Sequence, residues 1–199
     1  MKKSRERTII PKSKIQQIVE GQTTSLFQPH NISTVEYDQF YNFLTNPRTK
    51  QPLQLDILIN FNKSIHRSKK EPVKQVRLAI EVQGKQHYYY VKRYHPDQKA
   101  FEYTKYKDDM KFKLAIQNGI ILIPIKYTNI KNGFDLKRFL LSKLCKFRQH
   151  DQFFKASTQF IIELLKNKTY VPDLERIHAF TSFLSPSNHE DEDNILNYI

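Results

Sequence analysis

Two acidic residues stand where acids are expensive. Asp56 interrupts the apolar run Leu55-Asp56-Ile57-Leu58-Ile59, and Glu81 lies between Ile80 and Val82 in a segment that continues Gln83-Gly84-Lys85-Gln86-His87. A carboxylate flanked by large aliphatic side chains is costly to bury unless a positive charge meets it. Two such carboxylates on neighbouring strands, with an amide and lysines beside them, can hold a divalent cation against a phosphodiester. Hard oxygen ligands suit Mg2+ best, with Mn2+ as a substitute, because the ion keeps part of its water and accepts a phosphate oxygen. The competing reading is a pair of ordinary salt-bridged acids, for which 33 Lys and Arg provide ample partners.

Residues two apart on a strand share a face, so Glu81 and Gln83 point the same way, and Lys85 joins them only if the strand continues through Gly84. Among the lysines, Lys111 is the first candidate to meet the acids, since its helix would pack beside the sheet and Asp108 precedes it by three residues on the same face. Lys85 ranks second and Lys113 third. His87 carries an imidazole, a group suited to moving a proton or to contacting the leaving oxygen, or else to a purely structural bond with Asp108 or with the backbone.

The elements that must position these residues follow from changes in apolar period. Ser13 to Gly21 predicts a short helix stopped by the glycine, and Tyr37, Phe40, Tyr41 and Leu44 predict a second helix over Thr34 to Leu44. Gln54 to Phe61 and Gln75 to Gln83 read as strands that could pair as a long hairpin, with Gly84 as a bend or a point of close approach. Tyr88 to Pro96 either extends the sheet or forms a loop over it. Phe101 to Asn118 reads as a helix of about five turns closed by Asn118-Gly119, followed by a buried strand from Ile120 to Ile125 with Pro124 near its end. Two amphipathic helices, Asp135 to Arg148 and Asp151 to Lys166, come next. The expected organisation is a basic arm (1–14), an α/β core (15–130), a helical extension (131–170) and a polar, acidic tail (171–199).

That order of elements, with Glu81, Gly84, Gln86 and His87 standing as Glu-x-x-Gly-x-Gln-His, resembles the restriction-endonuclease-like, or PD-(D/E)XK, nuclease superfamily. Within it, the chain is similar to small enzymes of the homing-endonuclease and very-short-patch-repair kind. The resemblance spans about Leu53 to Lys126 and includes Asp56 upstream and Asp108-Asp109-Met110-Lys111 on the helix before the last strand. It implies a mixed central sheet flanked by helices and a Mg2+-dependent endonuclease acting on DNA. Asp56 and Glu81 would be the metal ligands, Gln83 would position water or phosphate, and Lys111 would stabilise transition-state charge, with His87 nearby. One departure matters: the lysine usual two residues after the glutamate is Gln83 here, and an amide cannot supply positive charge. The alternative is therefore a nuclease-fold subunit without turnover that binds nucleic acid or assembles into a larger complex.

Composition agrees with a polyanionic partner: the formal net charge is +13. The expected contacts to DNA, with RNA left open, are Lys85, Gln86, Lys92, Arg93 and Lys107, in and beside the aromatic and basic segment Tyr88 to His95, whose rings can stack on bases or line a core edge. Lys2, Lys3, Arg5, Arg7, Lys12 and Lys14 add a basic arm. Four unclustered glycines argue against a phosphate-binding loop, and scattered histidines with the single Cys145 leave zinc without a ligand set. Cys145 itself reads as an inert helix residue, buried as free cysteines usually are. No apolar run approaches the roughly 20 residues of a membrane span, so the expected location is soluble and intracellular, in a nucleus or nucleoid. Cutting both strands from one site would call for a homodimer or a second binding event.

Overall fold

The computed structural model describes residues 13–28, 32–66, 73–131, 133–147 and 151–167. In chain order these form helix α1 (Lys14–Phe27), strands β1 (Ser33–Thr45), β2 (Pro52–His66) and β3 (Val73–Gln83), helix α2 (Gln98–Gln117), strand β4 (Ile120–Lys126), and helices α3 (Leu136–Leu144) and α4 (Gln152–Asn167). The strands make one mixed sheet in the order β1-β2-β3-β4, antiparallel across the first two pairings and parallel between β3 and β4. Most of the basic arm and the whole acidic tail lie outside the described residues. No helix among the described residues is long and apolar enough to cross a membrane.

Helices cover both faces of the sheet. On one face Ile57, Ile59 and Phe61 of β2, Leu78 and Ile80 of β3, and Ile121, Ile123 and Ile125 of β4 pack with residues of α1, α3 and α4. On the other, Leu58, Ala79 and Leu122 meet Ala115 of α2. Period-two alternation from Ile57 to Phe61 in β2 and from Val76 to Ile80 in β3 supplies each face, whereas Leu53 and Leu55, before Asp56, join Leu58 in the second cluster, and β4 is buried on both sides and reads as a continuous aliphatic run. Pro124 is tolerated because β4 is an edge strand, and the proline stands in register with Glu81 of β3.

The helix ends are written in side chains. Ser13 caps α1 by accepting from the Gln16 amide, Asp97 caps α2 by accepting from Ala100, and Asp135 caps α3 by accepting from Arg138. Gly119, at φ +71°, provides the left-handed residue that turns α2 into β4.

Three expectations are corrected. Residues 34–44 are strand, not helix: β1 pairs antiparallel with β2, Tyr37 opposite Ile57 and Tyr41 opposite Leu53. Gly21 does not stop α1, which runs on to Phe27 because Val19, Thr23, Leu26 and Phe27 are buried around it, outweighing one exposed glycine. Cys145 is exposed at the C-cap of α3 rather than buried. Of the two readings of Tyr88 to Pro96, the loop is the one found: β3 ends at Gln83, a 3-10 turn covers Lys85–His87, and turns follow.

Candidate functional site

The sheet splits where the two acids sit. The β2–β3 ladder ends at the pair Ile57 and Ile80, yet β2 stays paired with β1 back to Pro52 and β3 stays paired with β4 on to Gln83. Beyond Ile57 and Ile80 the main-chain amides turn to side chains. The Asp56 N–H donates to Glu81 Oε1 at 3.2 Å, and the Val82 N–H donates to Asp56 Oδ2 at 2.8 Å. Two carboxylates thus replace the next rungs of the ladder and hold the mouth of the split at a fixed width.

A third element supplies the countercharge. Lys111, on the face of α2 turned to the sheet, places Nζ 2.5 Å from Glu81 Oε2, with the lysine side chain 16% and the glutamate side chain 6% exposed. A pair so withdrawn from water is costly to break at one end, because the remaining charge would stay buried without a partner. One turn earlier on α2, Asp108 Oδ2 lies 2.7 Å from His87 Nδ1, which ties the 3-10 turn after β3 to the same helix. Gln83, the next residue after Glu81 on that face of β3, accepts from the Tyr88 hydroxyl at 2.5 Å through Oε1, leaving its amide NH2 as a donor.

Electrostatics in this cluster are dominated by burial. The Asp56 carboxyl is pushed up from 3.8 to about 7, first by burial and then by the charge of Glu81, with Lys111 opposing both. Glu81 is likewise raised, chiefly by burial, against the pull of Lys111. Lys111 is raised despite its own burial, because Glu81 and Asp56 both favour its charged form. The two strand acids and Asp108 all act on one ammonium, so the cluster carries more potential negative charge than Lys111 neutralises.

That imbalance and the all-oxygen donor set fit a small hard dication. Asp56 and Glu81 can supply two carboxylates and the β3 main chain a carbonyl, with water and substrate completing the shell. Among the described residues no three His, Cys, Asp or Glu side chains group so as to hold a metal ion, and the donors at the split are the two strand carboxylates.

Of the other residues expected at the site, Lys85 is exposed on the 3-10 turn instead of continuing the strand face, and Lys113 is exposed on α2. Gln86 folds its side-chain amide back over Gly84, so that a Cβ there would meet only the far end of that flexible side chain. Lys92 and Arg93 are exposed in the loop, and Lys107 Nζ sits 5.3 Å from the Tyr103 ring centroid.

The structure also brings in residues that the sequence did not signal. Asp38, at φ +53°, lies between the pairs Tyr37–Ile57 and Gln39–Leu55, and therefore opposite Asp56. Its Oδ1 accepts from Gln16 of α1 at 2.9 Å and from Gln54 at 3.4 Å, and its charge adds to the rise at Asp56. Had residues 34–44 been read as a strand, the acid at 38 would have stood out as facing the one at 56.

No family model matches the chain, and no solved structure matches it. It is similar to Uncharacterized protein 033L of Invertebrate iridescent virus 3, 33% identical over 102 residues that cover 51% of this chain and 44% of that protein. It is also similar to Uncharacterized protein 307L of Invertebrate iridescent virus 6, 31% identical over 70 residues that cover 35% of this chain and 34% of that protein. The chain spans less than half the length of these curated relatives.

Proposed function

We propose that the protein is a metal-dependent nuclease that hydrolyses phosphodiester bonds in DNA, with the restriction-endonuclease-like fold. The observation that carries this is the meeting of Asp56, Glu81 and Lys111 at the split between β2 and β3. The order helix, three antiparallel strands, helix and parallel fourth strand supports the same fold.

Asp56 and Glu81 would hold Mg2+ or Mn2+, which when bound polarises a phosphate oxygen and lowers the pKa of attacking water. The chain's own residues do the rest. Lys111 offsets negative charge building on the phosphate, its position fixed by Glu81 and the α2 backbone. Positive charge therefore comes from the helix rather than from position 83, where the superfamily pattern places it. The Gln83 amide NH2 orients water or a phosphate oxygen, its own oxygen being fixed by Tyr88. His87, oriented through Nδ1 by Asp108, presents its other ring nitrogen for proton transfer at the leaving oxygen.

The second reading, a subunit of the same fold that binds nucleic acid without cutting it, draws on Gln83: its carbonyl oxygen already makes a structural bond. Incubation of plasmid and single-stranded DNA with Mg2+ or Mn2+ separates the two. Metal-dependent cleavage lost in Asp56→Ala and Glu81→Ala supports the nuclease, and tight binding with no cleavage by the native chain supports the binding subunit.

A further inference from the structure

Exposed rings and cations gather on the loop that follows β3 and on the start of α2. Of the exposed large apolar or aromatic side chains among the described residues, Tyr89 (51%), Tyr90 (43%) and Tyr94 (41%) fall within one loop, and Tyr103 follows on the first half of α2. Exposing this much ring area is unfavourable for a side chain that could pack, and a cluster of it marks a contact surface.

The loop is pinned, which makes the rings a prepared surface. His95 is 2% exposed, and its Nδ1 accepts from the Val91 amide, while the amides of Tyr94 and His95 both donate to the Val91 carbonyl. The His95 ring packs between Tyr90, at 6.0 Å, and Phe101 of α2, at 5.1 Å. Cations sit beside three of the exposed rings, Lys107 5.3 Å from the Tyr103 centroid, Arg93 5.9 Å from Tyr94 and Lys126 5.9 Å from Tyr89, and beside the half-buried Tyr88 and Tyr106, which Lys126 and Arg48 approach at 4.3 and 4.0 Å. Lys92 and Arg93 are exposed between the rings.

This combination discriminates among polyanions. A duplex offers phosphates but keeps its base faces stacked inside, so a row of exposed tyrosines gains little from it. An unpaired strand offers both phosphates for the lysines and free base faces for the rings. Apolar proteins or peptides would not account for the cations, and the chain's net charge of +13 disfavours basic partners. The patch is also continuous with the acids, because Tyr88 begins the loop and donates its hydroxyl to Gln83, two residues beyond Glu81.

From this we infer that the loop Tyr88 to Pro96, with the first half of α2, binds single-stranded nucleic acid and leads an unpaired strand to Asp56 and Glu81. The inference deepens the nuclease reading by naming its substrate class, and its strand-binding half is measurable without cleavage. Fluorescence anisotropy in EDTA would compare a labelled 20-nucleotide DNA strand, the RNA strand of the same sequence, and the DNA duplex, at matched salt. The full chain is used native and as Tyr89→Leu, Tyr94→Leu and, as an exposed ring on the opposite edge of the sheet, Phe40→Leu. Circular dichroism checks that each variant is folded.

The expected result is at least tenfold tighter binding of a single strand than of the duplex, with a loss of about five- to tenfold for each tyrosine variant, as removal of one stacked base requires, and none for Phe40→Leu. Preference for DNA or RNA identifies which strand is read, and either preference supports the inference. Equal affinity for strand and duplex, or tyrosine variants that bind single strands as the native chain does, overturns it. Strand binding without any cleavage in Mg2+ would sustain the binding surface while removing the nuclease reading.

Discussion

Lys111 reaches from α2 to within 2.5 Å of Glu81 on β3, at the point where β3 leaves β2. The contact unites elements 30 residues apart and puts one fixed positive charge at the opening between the strands. It also supplies, from a helix, what Gln83 cannot supply from the strand. The pair is mostly buried, so its strength depends on both members being present.

Removing one partner should therefore be worse than removing both. Lys111→Met leaves Glu81 buried without a countercharge and should cost about 3 kcal/mol of stability at pH 7, of the order seen when buried pairs are broken. The double variant Lys111→Met with Glu81→Leu should recover much of that loss. Urea denaturation of the native, single and double variants gives the coupling, and strictly additive losses would contradict the pairing.

The same countercharge should be transferable. If Lys111 offsets charge on the phosphate, Lys111→Met lowers cleavage by about 100-fold or more, as loss of one transition-state donor does. Adding Gln83→Lys to that background should restore part of the rate by placing an ammonium on the same strand face as Glu81. Single-turnover rates for the three proteins decide this, and a double variant no faster than Lys111→Met would show that the charge at 111 acts otherwise.

Asp56 sets a pH window. Its carboxyl is raised from 3.8 to about 7, mainly by burial, so the folded state holds this proton more tightly than the unfolded chain does. The associated stability is present below about pH 4 and is lost as pH rises through about 7. A dication binds the ionised form, so stabilisation by Mg2+ should run the other way, near zero at pH 5.5 and growing through pH 7 to a plateau above pH 8. Thermal unfolding with and without Mg2+ across this range tests the sign. Asp56→Asn should show no Mg2+ increment at any pH.

Gly21 offers a test confined to the scaffold. It lies inside α1, exposed, and a Cβ there meets nothing within 4 Å. Gly21→Ala should stabilise the protein by about 0.5–1 kcal/mol by lowering the helix-ordering entropy. Chemical denaturation measures it, and a loss of stability would mean that the helix face at Gly21 is not open.

Much of the site was legible because burial makes charge conspicuous: Asp56 and Glu81 stand out among aliphatic neighbours, and the helical period of α2 puts Asp108 and Lys111 on one face. β1 was not legible, for a definable reason. The positive φ at Asp38 switches the odd-numbered residues between faces, so that Val35 and Tyr37 pack with one apolar cluster and Tyr41 and Phe43 with the other. A register shift between Tyr41 and Thr45 follows. Together these erase the period-two pattern and leave Tyr37, Phe40, Tyr41 and Leu44 at helical spacing by coincidence. The pairing of Gln83 with Tyr88 was hidden too, since it depends on the 3-10 turn that reverses the chain after Gly84.

The most direct measurement is the single-turnover cleavage rate of prebound DNA, single-stranded and plasmid, as Mg2+ is raised from zero, for the native chain, Asp56→Ala and Glu81→Ala. Cleavage should saturate with Mg2+ in the native protein and fall by about 1000-fold or more in both variants, with DNA binding in EDTA unchanged. Cleavage of equal rate in all three proteins, or a native protein that holds DNA and leaves it intact at every Mg2+ concentration, would contradict the nuclease reading.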